Sequence, residues 1–383
     1  MPVDAPAMDM LERLIAFDTT SRNSNLDLIA FAREVLEKAG ATTRLTYDSE
    51  NRKANLFATL GPGQNGGYVL SGHSDVVPVD GQEWTSNPFA SEMRDGRLYG
   101  RGTADMKGFI AVALALAPEF AALDLKIPLH FALSFDEEVG CIGVRRLLAD
   151  LASADIRPAL AIIGEPTEMR IVAAHKAGAV IETIVRGREG HSSAPALGAN
   201  AVMMAGEFVA ALAALGESLM AERDAFFEPP YTTVQANMIS GGTAVNVLAR
   251  EAKVTWEYRA LPDHDADAIV ERANAAAAAI LPRYRDGAPE AGFTTRIRAA
   301  YPGLKRDPKS PALQLVSALS GSNDVHAVSY GTEAGLFQAA GIPAVICGPG
   351  SIVQAHRADE FVALDQLDAC AALLRRVGAS AAK

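Results

Sequence analysis

The sequence predicts an α/β protein, a mixed and mostly parallel sheet flanked by helices, interrupted by an inserted α+β unit of ferredoxin-like order. Short, β-rich apolar runs such as YVLSGH, PLHFALSF, ALAIIGE and IPAVICG alternate with helical patterns through most of the chain. Strands that are apolar along their whole length are covered on both faces, as in parallel sheets. In the middle of the chain the pattern changes: HKAGAVIETIVRGREGHSSAP alternates apolar with polar, which marks a half-exposed antiparallel strand. At 383 residues the chain is also long for one core and suits two domains. We divide it into a discontinuous main domain, residues 1–177 and 301–383, and an inserted domain, residues 178–300.

Taken in order, MDMLERLIAF has helical apolar spacing, and after the polar break DTTSRNSN a second helical run, LDLIAFAREVLEKAG, ends at Gly40 as helices often do. TTRLTYD, NLFATLG and GYVLSGHSD read as strands. KGFIAVALALAPEFAAL is a helix apolar on nearly all sides, hence buried. PLHFALSFDEEVGC is a central strand running into three acids, followed by the helix GVRRLLADL and the strand ALAIIGEPTE. The insert opens with HKAGAVIETIVRG, a half-exposed antiparallel strand. A helix from about Ala199 to Arg223, strands VQANMISGG and EAKVTWEYRAL, the helix DADAIVERANAAAAAILPRY and the strand FTTRIRAA complete a β-α-β-β-α-β order. After Tyr301-Pro302-Gly303 come the helix PALQLVSALSG, a strand at HAVSY, the helix EAGLFQAAG and the strand IPAVICGPGS; DQLDACAALLRRVGAS closes the chain as an amphipathic helix.

Composition narrows the function classes. With 35 basic against 46 acidic residues the net charge is −11, which argues against binding nucleic acid or an anionic membrane. No apolar run reads as a membrane span, and MPVDAPAMDMLERL has Asp where a signal peptide needs a cationic and then an apolar region, so the expected location is the cytoplasm. Cys141, Cys347 and Cys370 form no C-x-x-C pair and read as buried thiols of a reducing compartment. Cys141 lies next to the acidic cluster, which leaves a less favoured alternative as nucleophile or ligand.

Chemistry concentrates at strand ends. The H-x-D pair His73 and Asp75 points to one face of a strand, so one residue can bind a metal while the other orients its imidazole. Asp105 follows in the turn GRGTADMKG. The successive acids Asp136, Glu137 and Glu138 leave a buried strand, where they repel one another unless a cation neutralises them. Glu165 leaves another apolar strand, and His356 follows a third. A solvated strand end explains one such acid; the construction repeated with His73, Asp105, Glu138 and Glu165 reads as a metal cage. Two histidines and at least three carboxylates suit zinc or cobalt better than calcium or an iron–sulfur cluster, and suffice for two ions sharing one bridge. Such a pair suits hydrolysis, with Glu137 as a base not engaged as ligand. Of the other histidines, His130 reads as core, His264 and His326 as surface, and His175 as the end of a strand.

The ordered elements SGHSDVVPV, GRGTADMKG, DEEVG, GEPT, GREGHSS and GPGSIVQAH together resemble the zinc aminoacylase and deacetylase family of dinuclear metallopeptidases, over nearly the whole chain. The resemblance implies that the main domain is catalytic and binds two zinc or cobalt ions per subunit, while residues 178–300 form a lid that also makes a homodimer. It assigns His73 and Glu165 to one ion, Glu138 and His356 to the other, and Asp105 to the bridge, with a cis peptide after Asp105. Asp75 would orient His73, and Glu137 would be general base and then proton donor. His191 would reach the partner subunit's site and support the oxyanion. Asn246 and Arg259 would hold a substrate carboxylate, and Thr332 and Glu333 would lie near His356, with Glu333 meeting an ammonium. A surface charge for Arg259 and a helix-terminal acid for Glu333 remain open alternatives. YGTEAGLF and GPGSIVQAH favour the branch acting on N2-acetyl-L-ornithine, hence a small N-acyl amino acid substrate; a desuccinylase, aminoacylase or dipeptidase is the alternative. A metal-dead binding module is disfavoured, because Glu137 and every ligand are present.

Overall fold

The computed structural model describes residues 5–383. The chain opens with α1 (Ala5–Ile15) and α2 (Leu26–Lys38), whose buried Leu11, Leu14, Ile15, Leu28, Ile29 and Leu36 fall at helical spacing. Next come β1 (Thr42–Tyr47), β2 (Ala54–Leu60), β3 (Tyr68–His73) and the small hairpin β4 (Glu92–Arg94) with β5 (Arg97–Tyr99). α3 (Gly108–Ala121), β6 (Leu129–Ser134), α4 (Ile142–Ser153), β7 (Leu160–Pro166) and β8 (Ile171–His175) follow. The insert holds β9 (Ala177–Arg186), α5 (Ala201–Leu219), β10 (Thr233–Gly241), β11 (Glu251–Ala260), α6 (Ala266–Ile280), the short α7 (Pro282–Arg285) and β12 (Gly292–Tyr301). The chain ends with α8 (Pro311–Ser320), β13 (Val325–Val328), α9 (Ala334–Ala339), β14 (Ala344–Gly348), β15 (Phe361–Ala363) and α10 (Leu364–Ala381).

Two compact units result. The first holds the chain up to Ala174 together with Arg306–His326 and Thr332–Lys383; the second holds His175–Lys305 and Ala327–Gly331. The sequence reading puts 175–177, 301–305 and 327–331 in the main domain. They cluster with the insert, in which Gly331 packs so closely on the ring of Tyr301, the last residue of β12, that a Cβ there would lie 1.9 Å from Cε2.

The first unit is built on an eight-stranded sheet of order β1-β2-β6-β3-β7-β14-β8-β13, whose edge strand β13 leaves the unit after His326. Its four central strands, β6, β3, β7 and β14, are mutually parallel, and the flanking pairs β1–β2, β2–β6 and β14–β8 are antiparallel. Parallel neighbours need crossovers, which α3 and α4 supply. α3 packs against α1 and α10, and Phe109, Phe120, Phe131 and Leu374 are buried in the core between helices and sheet. One close contact lies beside the site. A Cβ on Gly164 would stand 1.9 Å from Cγ of the buried Phe109, so Gly164→Ala should cost at least the upper part of the about 1–3 kcal/mol typical of overpacking. A urea midpoint equal to that of the wild type would contradict this packing.

The second unit has the strand order β10-β11-β9-β12, all antiparallel, which is that of a split β-α-β fold. Expected to be half-exposed, β9 is an interior strand whose exposed residues are Val180 and Arg186 alone. Its outward Glu182 is covered by ion pairs with Arg298 on β12 and, at 3.5 Å, Lys253 on β11. α5 overturns the expectation about apolar runs: it is long and apolar enough to cross a membrane by length and composition. Here its buried face, with Met204, Phe208 and Leu212, joins Val254 and Trp256 of β11 in the unit's own core. His264, expected at the surface, is only 13% exposed in its side chain, with Nδ1 2.6 Å from Thr232 Oγ1 and Nε2 3.0 Å from Glu222.

Candidate metal centre

The site stands outside the carboxyl ends of the four parallel strands, where open α/β sheets place their chemistry. β3 ends at His73, the exit of β6 delivers Glu137 and Glu138, β7 carries Glu165, and the segment after β14 turns back at His356, whose φ is 63°. Asp105 sits in the turn Thr103–Lys107 that leads into α3, and its bond to Met106 is cis, as the resemblance implied. Asp136, the first of the three acids, turns away: its φ is 55° and its carboxylate pairs with Lys53 at 2.5 Å.

Asp105 occupies the middle of the cluster. Its Oδ1 is 2.9 Å from His73 Nε2 and its Oδ2 is 3.4 Å from His356 Nε2. His73 Nε2 is also 3.8 Å from Glu165 Oε1, and His356 Nε2 is 3.0 Å from Glu138 Oε2. Two overlapping groups, His73–Glu137–Glu165 and His73–Asp105–Glu138, each bring one possible ligand atom per residue within 4.8 Å of one another. Ligand atoms about 2.0–2.1 Å from a tetrahedral ion lie about 3.4 Å apart. The four distances bracket that value.

His73 is held ready to coordinate. Its Nδ1 lies 2.9 Å from the backbone carbonyl of Asp75, which can only accept, so Nδ1 carries a proton, and Nε2, facing Asp105 at 2.9 Å, is the nitrogen that would coordinate once an ion displaces its own proton. The Asp75 carboxylate, expected to orient the ring, stands farther off at 3.6 Å. It also fixes the two glutamates: its oxygens accept from the backbone N–H groups of Glu137 at 3.1 Å and Glu138 at 3.3 Å, and from Ser21 Oγ at 2.7 Å. Ser21 went unnoticed in the sequence, where DTTSRNSN reads only as a helix break. Thr19 Oγ1 in the same segment donates to Ser74 O at 2.6 Å. Cys141, buried and unpaired like Cys347 and Cys370, donates from Sγ to Glu137 Oε1 at 3.3 Å.

Electrostatics show what the cluster needs. Burial and the neighbouring charge of Asp105 push Glu138 up to about 7 and Glu165 well above the usual range. Burial, aided by the charges of Glu138 and Glu333, also raises Glu137 despite the opposing pull of His73. Hydrogen bonds to Asp105 and Glu138 lift His356 to about 10. For Asp105 burial acts upward, but the two imidazoles outweigh it and hold the carboxyl well below its ordinary value. Without added positive charge, then, the protein can balance its carboxylates only by binding protons. Glu138 Oε1 is buried with no hydrogen-bond partner. Spacing, charge and the orphaned oxygen all fit divalent ions.

The remaining sequence candidates fall in two places. In the first unit, buried Thr332 accepts the N–H of Ala334 on Oγ1 at 3.0 Å, and Glu333, 1% exposed, accepts from Ser134 Oγ at 2.5 Å. In the second unit, His191 bridges to Val247 and Ser192 N donates to Asn246 O at 3.1 Å, so His191 and Asn246 sit on adjoining stretches. His191 Nδ1 accepts from Ser193 N at 3.2 Å, which puts the proton of the neutral ring on Nε2. Arg259 is held by the Tyr301 hydroxyl and, at 3.0 Å, by Glu257, so it is more than a loose surface charge. His130 lies in the core, stacked on Phe57 at 5.0 Å.

Histidines and carboxylates gathered at metal-ligand spacing over the ends of parallel strands define a metal-dependent hydrolase on an α/β scaffold. The family model described as Peptidase family M20/M25/M40 matches residues 69–379. The chain belongs to that family and is an enzyme of the amide-hydrolysing class. It is 37% identical, over 96% of its own length and 95% of the relative's, to the acetylornithine deacetylase of Myxococcus xanthus. Among solved structures it shares its fold with the aminopeptidase PepT of Bacillus cereus (TM-score 0.77, 19% identity, 100% of both chains covered). It also resembles the Bacillus subtilis YXEP protein, titled a dinuclear metal binding peptidase of the M20 family (TM-score 0.66, 17% identity, 98% of both chains).

Proposed function

We propose that the protein removes the acetyl group of N2-acetyl-L-ornithine, giving acetate and L-ornithine, a step of arginine biosynthesis. The observation that carries the chemistry is Asp105 standing 2.9 and 3.4 Å from the imidazoles of His73 and His356. The substrate rests on similarity to acetylornithine deacetylases along nearly the whole chain. Two histidines among carboxylates suit two zinc or cobalt ions, with His73 and Glu165 at one, Glu138 and His356 at the other and Asp105 between. Bound there, such a pair supplies a water of lowered pKa and polarises the amide carbonyl.

The chain's own residues do the rest. Glu137 takes the proton of the attacking water on a carboxylate oxygen and returns it to the nitrogen of the leaving amine, so no proton is lost from the cycle. His191 donates from Nε2 to the oxyanion, a task worth about two to three orders of magnitude per donor in comparable sites. Arg259, braced by Tyr301 and Glu257, clamps the substrate's α-carboxylate with Asn246 beside it. Thr332 fixes the start of α9. Glu333, buried beside Ser134, meets the ornithine ammonium.

The insert acts as a lid and dimer contact, a reading supported by its exposed apolar Met238, Ile239 and Val245. His191 then serves the partner subunit's site. Mixing inactive His191→Ala and Glu137→Gln proteins should restore activity as subunits exchange; exchange without rescue would return His191 to its own subunit. Buried, unpaired thiols support a cytoplasmic location.

The test of substrate is a panel assay of metal-loaded protein on N2-acetyl-ornithine, N-acetyl-methionine, N-succinyl-diaminopimelate and a simple dipeptide. We expect the highest kcat/KM on acetyl-ornithine, measurable turnover of acetyl-methionine and none of the succinyl compound, since uncompensated buried charge is rejected strongly. A preference for the succinyl substrate would overturn the assignment and leave the metal chemistry standing.

A further inference from the structure

A buried carboxylate outside the candidate ligand set holds the backbone of one ligand directly and reaches that of a second through two side chains. Glu360, 1% exposed, accepts four hydrogen bonds. Its Oε2 takes Arg101 Nη1 at 2.6 Å and Gly102 N at 3.0 Å; its Oε1 takes Ala104 N at 2.9 Å and Asp105 N at 3.0 Å. The three backbone donors open the turn that carries Asp105, where helical bonding has not yet begun, so Glu360 satisfies groups that would otherwise be orphaned. Arg101, equally buried, offsets the charge of Glu360 and extends the contact: its Nη2 donates to Gln82 Oε1 at 2.6 Å. Gln82 Nε2 in turn donates to the backbone carbonyl of His356 at 2.9 Å. One continuous network therefore ties the turn of Asp105 to the backbone of His356.

We infer that Glu360, Arg101 and Gln82 are positioning residues that set the approach of Asp105 to His356, and with it the affinity of the site for its ions. Asp105 must stand between two imidazoles, and its backbone is not helical there, with φ −122° and ψ 92°. Four donors on one carboxylate fix that segment against the chain just after His356. Glu360→Gln keeps the shape but replaces one acceptor oxygen by an NH2 group, which faces either two backbone N–H groups or Arg101 and Gly102 N, and the turn must shift. Gln82→Ala cuts the link to His356 and, with it, the bonds that Gln82 Oε1 accepts from Arg101 Nη2 and Trp84 Nε1, while the Arg101–Glu360 pair stays in place.

The inference rests on the two-metal reading, and the test separates the two. Apoprotein is titrated with zinc, and separately with cobalt, whose visible absorption reports its coordination, and the dissociation constants are measured directly. The wild type should bind two ions per chain; if it binds none, the reading and the inference fall together. Glu360→Gln should raise the dissociation constants of both ions by about 10–100-fold, the effect usual for residues that orient ligands. Gln82→Ala, at a half-exposed position that leaves the buried ion pair intact, should weaken one ion by about fivefold, the effect of freeing the His356 backbone from its one side-chain donor in this network, and spare the other. Melting of the apoproteins checks folding; if Glu360→Gln does not fold, the Gln82→Ala titration decides. Two tight ions in the wild type, with wild-type affinities in the folded variants, would overturn the inference and leave the reading intact.

Discussion

Glu137→Gln protein should carry the same two ions per chain as the wild type and turn over substrate about two to four orders of magnitude more slowly. Geometry alone does not separate base from ligand here, because Glu137 belongs to one of the two groups at metal-ligand spacing, with His73 and Glu165. Two features favour the base. Its Oε1 already accepts from Cys141 Sγ at 3.3 Å, whereas Glu138 places one oxygen 3.0 Å from His356 Nε2 and keeps the other unpartnered. Burial raises Glu137 as well, and a base that must also return its proton works best when its pKa lies nearer the operating pH. Gln matches Glu in shape but cannot accept the proton. Metal content and single-turnover rate, measured on one preparation, decide the matter. A variant that loses an ion has lost a ligand, and Glu137 and Glu138 would then exchange roles.

Much of this centre was legible because its residues stand in local patterns. His73 ends a strand rich in apolar residues, and the glutamates of DEEVG and GEPT leave buried strands, so the period of the strands itself points the acids to one edge. What stayed hidden acts across long separations through groups that carry no pattern. Glu360 lies in RADEF, a short stretch with no periodic pattern, and meets Arg101 from 259 positions away. Ser21 reaches Asp75 over 54 positions from what looked like a helix break. The small sheet β15-β5-β4 is built of three-residue strands, too short for any alternation to register. Glu182 misled in the other direction: alternation along β9 was real, but ion pairs from both neighbouring strands cover its outward face.

Asp105→Asn should lose both ions, where Glu138→Gln and Glu165→Gln should each lose one. Among these carboxylates Asp105 alone lies within 3.4 Å of both imidazoles, with one oxygen toward each. Glu138 approaches His356, and Glu165 approaches His73. A shared carboxylate contributes its charge to both ions at once, so its removal leaves each short of a ligand and the pair closer in mutual repulsion. Asn keeps the size and one acceptor oxygen, which limits any general collapse of the turn. Affinity for each ion should fall by more than the roughly 10–100-fold that follows loss of a residue acting only through a ligand. Metal analysis after gel filtration in metal-free buffer reads the stoichiometry: two for the wild type, one for Glu138→Gln and for Glu165→Gln, none for Asp105→Asn. An Asp105→Asn protein that retains one tightly held ion would show that the carboxylate serves a single site, and that the two ions do not share it.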